Sequence, residues 1–261
     1  MASGSRAVWQ RNCPIISFVL ILALDTSSSS GSLAVLRDQT VLSCVSSASG
    51  EIYSSRVFRQ LESLLKQTSF DLSDFDLFGV VAGPGSFTGL RVGLAAVKGW
   101  AEVYNKPVAA ISALEAVAAQ SHSLGPLLVP VLDARRGQIY FGFYRRCDSS
   151  ENSSLALDGA ECVMTREEFV QFLRTRCGAS GAVIVTPEPA LISTALAELQ
   201  TRADSGARIS IEPVSAILAP HVGRLALACA ERGELTDALS LDANYVRRSD
   251  AELHLKGPIT S

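Results

Sequence analysis

Two short segments of the sequence have the composition of loops that could hold a phosphate group. Residues 25–30 (DTSSSS) follow an apolar run, and residues 83–89 (GPGSFTG) separate an apolar hexapeptide from a helical pattern. A glycine loop that opens a helix can present backbone N–H groups and the positive helix terminus to an anion. We treat the two segments as a vestigial nucleotide- or phosphate-binding loop pair. Its candidate residues are Asp25, Thr26, Gly83, Gly85, Ser86 and Thr88.

The glycine segment differs from the standard phosphate-binding motifs. A Walker motif needs a lysine after its last glycine, whereas Gly89 is followed by Leu90. The three glycines of residues 83–89 have the spacing G-x-G-x-x-x-G, which is not the dinucleotide-binding G-x-G-x-x-G. The alternative is a tight turn in which Ser86 or Thr88 caps the following helix. The local sequence leaves both interpretations open.

The sequence lacks the side-chain sets of common hydrolases and metal sites. Neither H-E-x-x-H nor G-x-S-x-G occurs, and the three histidines lie far apart. The six cysteines contain no C-x-x-C pair, which argues against zinc and predicts free thiols in a reducing, cytoplasmic compartment. Asp133, like Asp25, ends a predicted strand, where active-site acids of α/β folds often lie, but either could instead cap a turn. We therefore expect no metal, and we identify no catalytic residue.

The charge balance argues against a further class of function. The chain of 261 residues carries 23 Lys+Arg against 26 Asp+Glu, a net charge of −3, and no basic stripe is visible. Proteins that bind nucleic acid unaided usually carry such a stripe, because phosphate neutralisation supplies most of their affinity. The hydrophobic content of 48%, with 19% charged residues, argues against disorder. These values predict a folded chain that does not grip nucleic acid alone.

The apolar run at residues 15–24 has two interpretations. With Arg6 and Arg11 before it, it could be the apolar region of a signal peptide, and its length is too short to span a bilayer. Alternatively it is a buried strand, because a turn and a second apolar run at 31–36 follow it in the manner of a hairpin. We favour the strand. Residues 1–13 are then an N-terminal extension, and no membrane segment is expected.

The elements that must position these segments alternate between strands and helices. The predicted strands are 15–24, 31–38, 40–47, 77–82, 107–111, 127–133, 138–145, 182–186 and 208–211, and the predicted helices are 51–67, 88–104, 112–121, 165–176, 189–201 and 213–231. This order is typical of mixed sheets with helices on their faces. We expect an N-terminal lobe at 14–112 and a C-terminal lobe with a tail at 113–261. Residues 148–158 have the most loop-like composition.

The predicted helix 88–104 is apolar around most of its circumference. Its polar residues Arg91, Lys98 and Glu102 fall within one narrow stripe when successive residues are placed 100° apart. A helix that lies on one sheet needs an apolar face of only about 100°. A second surface must therefore cover the helix. That surface is either helix 51–67 of the same chain or a partner subunit.

Several segments of the sequence together resemble the TsaB family. The segments are residues 21–36 (ILALDTSSSSGSLAVL), 83–101 (GPGSFTGLRVGLAAVKGWA) and 132–144 (LDARRGQIYFGFY). Members of this family are non-catalytic subunits of the bacterial machinery that makes N6-threonylcarbamoyladenosine (t6A) at position 37 of tRNA. The resemblance extends over most of residues 20–250, and residues 245–247 (YVR) are similar to the family's C-terminal Tyr-Leu-Arg, although Ala243 stands where a proline is more typical. It implies two similar actin-like (RNase H-like) α/β lobes, each a mixed sheet flanked by helices.

The resemblance also relates the chain to TsaD, the catalytic subunit of the same machinery. TsaD holds a metal through two histidines in a pattern similar to Asn-His-x-Glu-Gly-His. The matching stretch here is residues 112–117, and Ala113 and Val117 stand where the histidines would be. Neither side chain has a ligand atom, and Glu115 alone offers no usable metal geometry. The resemblance therefore implies a subunit that supports threonylcarbamoyl transfer to adenosine 37 without performing it.

The family's partners follow from the same resemblance. TsaB pairs with TsaD through helices of the N-terminal lobe, and a TsaE-type ATPase joins a larger complex. Without TsaD the same surface could form a homodimer; tRNA would be reached only indirectly, and ATP or ADP could bind near the partner interface. We expect a charge at Gly99 or Val97 to leave the fold intact and to abolish TsaD binding. The expected interface residues are Tyr53, Val57, Leu61, Leu64, Gly93, Ala96, Val97, Gly99 and Trp100.

Two other functions remain as alternatives. The chain could be a nucleotide-dependent enzyme of the actin-like superfamily, such as a small-molecule kinase, which would need a full set of phosphate-contacting loops and an acidic metal ligand. Asp25 with the Ser/Thr turn resembles only the first such loop. A glycoprotease-like peptidase is the other alternative, but no metal pair or Ser/His/Asp set supports it.

Overall fold

A computed structural model describes most of the chain. The described residues are 18–47, 53–123, 125, 127–147, 154–177, 181–201 and 208–246. The predicted extension at residues 1–13 lies outside them, as does Arg247 of the YVR segment. Among the described residues, no helix is both long enough and apolar enough to cross a membrane.

The first lobe is a five-stranded sheet with a helix pair on one face. Its elements are β1 (Leu20–Asp25), β2 (Ser32–Arg37), β3 (Thr40–Ser46), α1 (Tyr53–Thr68), β4 (Leu77–Gly83), α2 (Phe87–Tyr104) and β5 (Val108–Ser112). The strand order is β3-β2-β1-β4-β5; β2 is antiparallel to both its neighbours, and β4 is parallel to both of its own. All six residues of β1 are buried at the centre of the sheet, as a continuous apolar run requires. The strand prediction is therefore confirmed for Leu20–Asp25.

The second lobe repeats this plan. Its elements are α3 (Ala113–Ala118), β6 (Leu128–Arg135), β7 (Gln138–Phe141), β8 (Tyr144–Arg146), β9 (Leu155–Leu157), β10 (Cys162–Thr165), α4 (Arg166–Cys177), β11 (Ala182–Thr186), α5 (Ser193–Thr201), β12 (Ile209–Pro213) and α6 (Ala219–Arg232). The order β10-β7-β6-β11-β12 again joins antiparallel strands on one side of the first strand to parallel strands on the other. The prediction of two similar α/β lobes with mixed sheets is thus confirmed.

The helices fill three layers around the two sheets. Helices α1 and α2 pack on the outer face of the first sheet, and α4 and α5 pack on the outer face of the second. Helices α3 and α6 lie between the sheets, in a core that draws on both lobes. Helix α6 belongs to the predicted C-terminal lobe, yet it covers the inner face of the first sheet. The packing is so close that a Cβ on Gly79 would lie 2.9 Å from the Cβ of Ala226.

The second lobe differs from the sequence prediction in three places. The predicted strand 138–145 is two strands, because Phe141 pairs with β6 and β10 whereas Tyr144 pairs with Leu128 and with β9. Strands β9 and β10 were not expected; β9 is only three residues long and adjoins a polar stretch that hides it. The last helix begins at Ala219 rather than near 213, since β12 continues through Pro213 and the N–H of Val214 still pairs with Thr186.

Candidate functional site

A cleft between the lobes brings the two predicted loops together. Strands β1 and β4 are parallel neighbours, so the turn after β1 and the glycine loop after β4 emerge at the same edge of the sheet. They line a cavity of about 240 Å³ with the β6–β7 connection of the second lobe. Its polar lining residues are Ser27, Ser28, Ser29, Ser30, Ser86, Asp133, Arg135, Tyr140 and Glu188. The structure therefore places the two loops side by side at one cavity.

Asp25 lies behind the serine turn and is fully buried. Its Oδ1 atom accepts hydrogen bonds from the backbone N–H of Ser27 over 2.8 Å and from the Ser27 hydroxyl over 2.7 Å. Burial raises the pKa of the Asp25 carboxyl, while the bonds from Ser27 and the charge of Arg56 oppose that rise. Asp25 therefore fixes the turn that follows it, which is the role that the turn-capping alternative assigned to it.

A buried arginine of α1 supports the serine turn from below. The guanidinium of Arg56 is 2% exposed; its Nη1 donates to the carbonyl oxygen of Ser29 over 2.6 Å and its Nη2 to that of Ser28 over 3.3 Å. Backbone carbonyl groups take the place of water around the guanidinium, which is what allows a charged side chain to be buried here.

The glycine loop is held against the same turn through its backbone. The N–H of Ser86 donates to the carbonyl oxygen of Ser27 over 2.7 Å, and a Cβ on Gly85 would lie only 2.5 Å from that oxygen. The hydroxyl of Ser86 caps α2 by accepting from the N–H of Gly89, while Thr88 lies in the first turn with its side chain exposed. The tight-turn interpretation is confirmed in its Ser86 form.

The charged groups at the mouth of the cleft are also engaged within the chain. Oδ1 of Asp133 accepts from the backbone N–H of Arg135 over 2.9 Å, and Oδ2 lies 3.3 Å from the Arg135 guanidinium. Asp133 thus caps the β6–β7 turn. Among the described residues that line the cavity, Arg135 is the one cation, its side chain is largely exposed, and it already has a carboxylate partner. A polyphosphate would find little positive charge here.

The stretch compared with the TsaD metal motif is apolar where ligands would be needed. Ala113 and Val117 are fully buried, and the Ser112 hydroxyl caps α3 by accepting from the N–H groups of Leu114 and Glu115. Burial raises the pKa of the Glu115 carboxyl, and the charge of Arg232 opposes that rise. Within the described part of the chain, no three His, Cys, Asp or Glu side chains are grouped so as to hold a metal ion.

The helix pair α1 and α2 carries the residues predicted to meet a partner. Six of them face inward and pack in the chain's own core. There the ring centroids of Trp100 and Phe78 lie 6.1 Å apart. The six are Val57, Leu61, Leu64, Gly93, Val97 and Trp100. Because a partner cannot reach residues buried under their own helix, their assignment to an interface is wrong. Tyr53 begins α1, and its side chain lies outside the described part of the structure.

The opposite side of the same helices is open to solvent. Phe58 of α1 is 57% exposed and Val103 of α2 is 75% exposed. Small residues lie along α2 beside Val103, and a Cβ on Gly99 would meet no atom within 4 Å. We call this surface the outer face. It consists of the exposed residues Phe58, Thr88, Ala95, Gly99 and Val103, with the half-buried Val92 and Ala96 at its edge.

Of the predicted interface set, Ala96 and Gly99 therefore lie on the outer face. Helix 51–67 of the same chain covers one side of α2, as one alternative predicted, and a strip of α2 still stays uncovered. Val97 is 0% exposed in the core, so we now expect a charge at this position to destabilise the fold.

Comparison with known proteins finds sequence similarity to proteins of threonylcarbamoyladenosine biosynthesis. A family model described as "TsaD: tRNA N6-adenosine threonylcarbamoyltransferase" matches residues 47–166. The tRNA threonylcarbamoyladenosine biosynthesis protein TsaB of Bacillus subtilis (strain 168) is 37% identical over 125 residues, which are 48% of this chain and 55% of that protein. The chain is similar to TsaB proteins over this stretch. TsaB of Escherichia coli (strain K12) is 30% identical over 128 residues, again 48% of this chain and 55% of that protein. The chain thus spans about half the length of the TsaB relatives that it matches.

A solved structure extends the comparison to the fold of both lobes. YeaZ from Pseudomonas aeruginosa superposes with a TM-score of 0.69 over 87% of this chain and 99% of that one, at 23% sequence identity. At this identity the match establishes the fold. It agrees with the two-lobed α/β architecture, while the similarity to TsaB proteins comes from the sequence.

Proposed function

We propose that this chain is a non-catalytic subunit of the bacterial t6A machinery, and that it supports threonylcarbamoyl transfer to adenosine 37 of tRNA by pairing with a TsaD-type catalytic subunit. The support for the process is the similarity to TsaB proteins, which are named for threonylcarbamoyladenosine biosynthesis. The support for the role as a scaffold is the uncovered outer face of α1 and α2. That face is the single structural observation on which the pairing rests.

The outer face has the chemistry of a helix-packing surface. Ala95 and Gly99 lie one turn apart on α2, and both are exposed. Their small side chains leave room for a second helix to approach closely, because interaxial distance depends on the side chains at the contact. Phe58 of α1 and Val103 of α2 add larger exposed apolar groups on the same helix pair. Exposed apolar surfaces of this kind mark interaction sites more often than they occur by chance.

The cleft supports the absence of catalysis in this subunit. The candidate loop residues meet at Ser27: Asp25 accepts hydrogen bonds from it, Ser86 donates to its carbonyl oxygen, and Gly85 lies against that oxygen. The loop pair therefore has the contacts of a structural turn. The apolar side chains of Ala113 and Val117 lack any atom that could ligate a metal. In this proposal the TsaD-type partner performs the transfer and a TsaE-type ATPase joins the larger complex. The near-neutral net charge of −3 fits a subunit that reaches tRNA through its partners.

The decisive experiment measures binding and t6A formation together. The purified chain is titrated with a TsaD-type subunit by calorimetry, and t6A in tRNA is quantified by mass spectrometry after reconstitution with and without the chain. We expect binding by the wild-type chain and strong loss of t6A when it is omitted. Gly99→Glu adds one charge on the outer face and is expected to abolish binding.

A matched variant controls for the added charge. Gln171→Glu introduces the same charge at an exposed position of α4, on the other lobe, and should bind like the wild type. Equal t6A formation without the chain would refute the proposed function. Equal binding by Gly99→Glu and Gln171→Glu would refute the outer face as the interface. Without the TsaD-type subunit, a homodimer that Gly99→Glu disperses would show the same surface in self-association.

The kinase alternative has its own test. Titration of the isolated chain with Mg-ATP should give no micromolar binding, since the lining cation Arg135 is exposed and paired. Micromolar affinity would favour a nucleotide-dependent enzyme over a scaffold. The peptidase alternative gains no support from the cleft, because the described residues group no metal ligands.

A further inference from the structure

The chain after α6 returns to the first lobe as an ordered segment, residues 236–246, which we call the strap. Thr236 and Val108 exchange two backbone hydrogen bonds of 2.8 and 3.0 Å at the edge of the first sheet. At the other end of the strap, the N–H of Asn244 donates to the carbonyl oxygen of Ala82 over 2.8 Å, where β4 ends. The strap therefore crosses from the edge of the sheet to the start of α2.

A single carboxylate ties the end of the strap to the second lobe. The side-chain amide of Asn244 donates to Oε2 of Glu161 over 2.9 Å. Oε1 of Glu161 accepts from the Tyr144 hydroxyl over 2.7 Å and also from the Ser112 hydroxyl. Three donors from three parts of the chain thus hold Glu161, and Glu161 holds Asn244. These bonds, with that of the Asn244 N–H to Ala82, bring the next residue of the strap to the start of α2.

That residue is Tyr245, and it packs on the first turn of α2. The ring centroids of Tyr245 and Phe87 lie 5.0 Å apart, and Cζ of Arg91 lies 3.9 Å from the centroid of Phe87. We call these three residues the aromatic stack. Tyr245 remains 41% exposed, and Arg91 is exposed as well. Within the described part of the chain, the Tyr245 ring and the Arg91 guanidinium both pack on Phe87 and both keep exposed surface.

The aromatic stack is continuous with the outer face. Phe87 and Arg91 alternate along α2 with Thr88 and Val92, which begin the outer face at that end of the helix. Tyrosine and arginine are enriched among the residues that dominate binding energy at protein interfaces. A ring that is already fixed in place loses little conformational freedom when a partner covers it. The anchoring of the strap supplies this preorganisation.

We propose that the aromatic stack is part of the surface that binds the TsaD-type subunit, with Tyr245 as its main contact. This inference rests on the proposed function and adds to it a contact from the C-terminal strap, which sequence patterns of the helices cannot indicate. Tyr245, the first residue of the YVR segment, then acts at the same surface as α2. Binding at this surface also reports on the strap, since Tyr245 is held through Asn244 and Glu161.

The test places a photo-cross-linker on the strap. p-Benzoylphenylalanine replaces Tyr245 in one variant and Leu239 in another; Leu239 is 87% exposed on the same strap and serves as the control. After irradiation with the TsaD-type subunit, we expect a cross-link from position 245 and none from position 239. Calorimetry should show affinity lowered about tenfold or more by Tyr245→Ala, retained by Tyr245→Phe and unchanged by Leu239→Ala.

The outcomes separate this inference from the function on which it rests. If the wild-type chain does not bind the TsaD-type subunit, the proposed function fails. A second outcome is that the wild type binds and Gly99→Glu does not. If Tyr245→Ala then binds with normal affinity and position 245 gives no cross-link, the aromatic stack is not part of the interface, while the proposed function stands. A cross-link from position 245 to a second copy of this chain, in place of the subunit, overturns the choice of partner. Cross-linking needs no destabilising substitution, so it decides the matter even if Tyr245→Ala folds poorly.

Discussion

The backbone N–H of Ser86 lies 2.7 Å from the carbonyl oxygen of Ser27 and donates to it, so the glycine loop closes on the serine turn. The two segments that most resemble phosphate loops are thus partners of each other. Gly85 sits at the closest approach, where a Cβ would lie 2.5 Å from the same oxygen. This glycine is needed because the two backbones touch, and the requirement exists without any bound anion.

Replacement of Gly85 by alanine should destabilise the fold. The added methyl group would press on the backbone of Ser27, which cannot move without breaking its hydrogen bond to Ser86. Overpacking of this kind typically costs about 1–3 kcal/mol. Urea denaturation of Gly85→Ala should show this loss in the free energy of unfolding.

Gly99→Ala is the matched control for that substitution. A Cβ at Gly99 meets no atom within 4 Å, and the residue lies in the interior of α2. Alanine there is expected to raise the free energy of unfolding by about 0.5–1 kcal/mol, because glycine loses more backbone entropy in a helix. Equal effects of the two substitutions would contradict the close approach at Gly85.

Val97→Asp should destabilise the fold and Gly99→Glu should leave it intact, although the two residues are close together on α2. Val97 is 0% exposed, so Val97→Asp places an unpaired carboxylate in the core and should cost at least about 3 kcal/mol. Gly99→Glu points into solvent and should retain the wild-type circular dichroism spectrum and unfold cooperatively. A folded, stable Val97→Asp protein would show that the inner and outer sides of α2 are misassigned.

Helix α2 shows which features could be predicted from the sequence and which could not. Apolar runs and helical periodicity predicted the type and order of most elements, because burial in a sheet or on its face requires those patterns. They could not tell which side of α2 stays uncovered: Val97 and Val103 are the same residue type, yet one is 0% and the other 75% exposed. The difference arises from β4 and α1, which pack against one side of the helix.

Arg56 illustrates the corresponding limit for polar residues. A charged side chain on a helix is normally solvated, and nothing in the local pattern of α1 marks Arg56 as an exception. Its burial depends on the carbonyl groups of Ser28 and Ser29, which the turn after β1 brings over the helix. The same holds for Glu161: two of its donors, Ser112 and Asn244, lie 49 and 83 positions away in the sequence. Such partners become visible only when the chain is folded.

Glu161 provides a prediction about the junction of the lobes. Glu161→Gln places an amide group where three donors now meet a carboxylate, so one or more donors lose their acceptor. We expect a loss of about 1–3 kcal/mol in the free energy of unfolding. Glu234→Gln is the control: Glu234 pairs with Arg232 at an exposed site, and its replacement should change the free energy of unfolding by less than about 1 kcal/mol. Similar losses in both variants would argue against Glu161 as a junction.

His221 predicts a pH dependence of stability. Burial lowers the pKa of its imidazole to about 4, with the charges of Arg224 and His122 adding to that effect, and its buried Nδ1 has no hydrogen-bond partner among the described residues. The unfolded chain therefore takes up a proton on His221 at a higher pH than the folded chain does. Stability should consequently fall as the pH is lowered from about 6.5 to about 4.

His221→Phe removes the titrating group and keeps a planar ring. The measured quantity is the free energy of unfolding of the wild type minus that of the variant. This difference should be constant above pH 7 and decline between about pH 6.5 and 4. Subtracting the two curves cancels the carboxylates, which titrate in both proteins. His122→Ala, which removes one of the two neighbouring charges, should reduce the decline only slightly, because burial is the larger cause of the low pKa. Urea denaturation at half-unit steps of pH measures all three proteins. Parallel curves for the wild type and His221→Phe would contradict the prediction, since they would mean that the imidazole binds its proton equally well in the folded and unfolded chain.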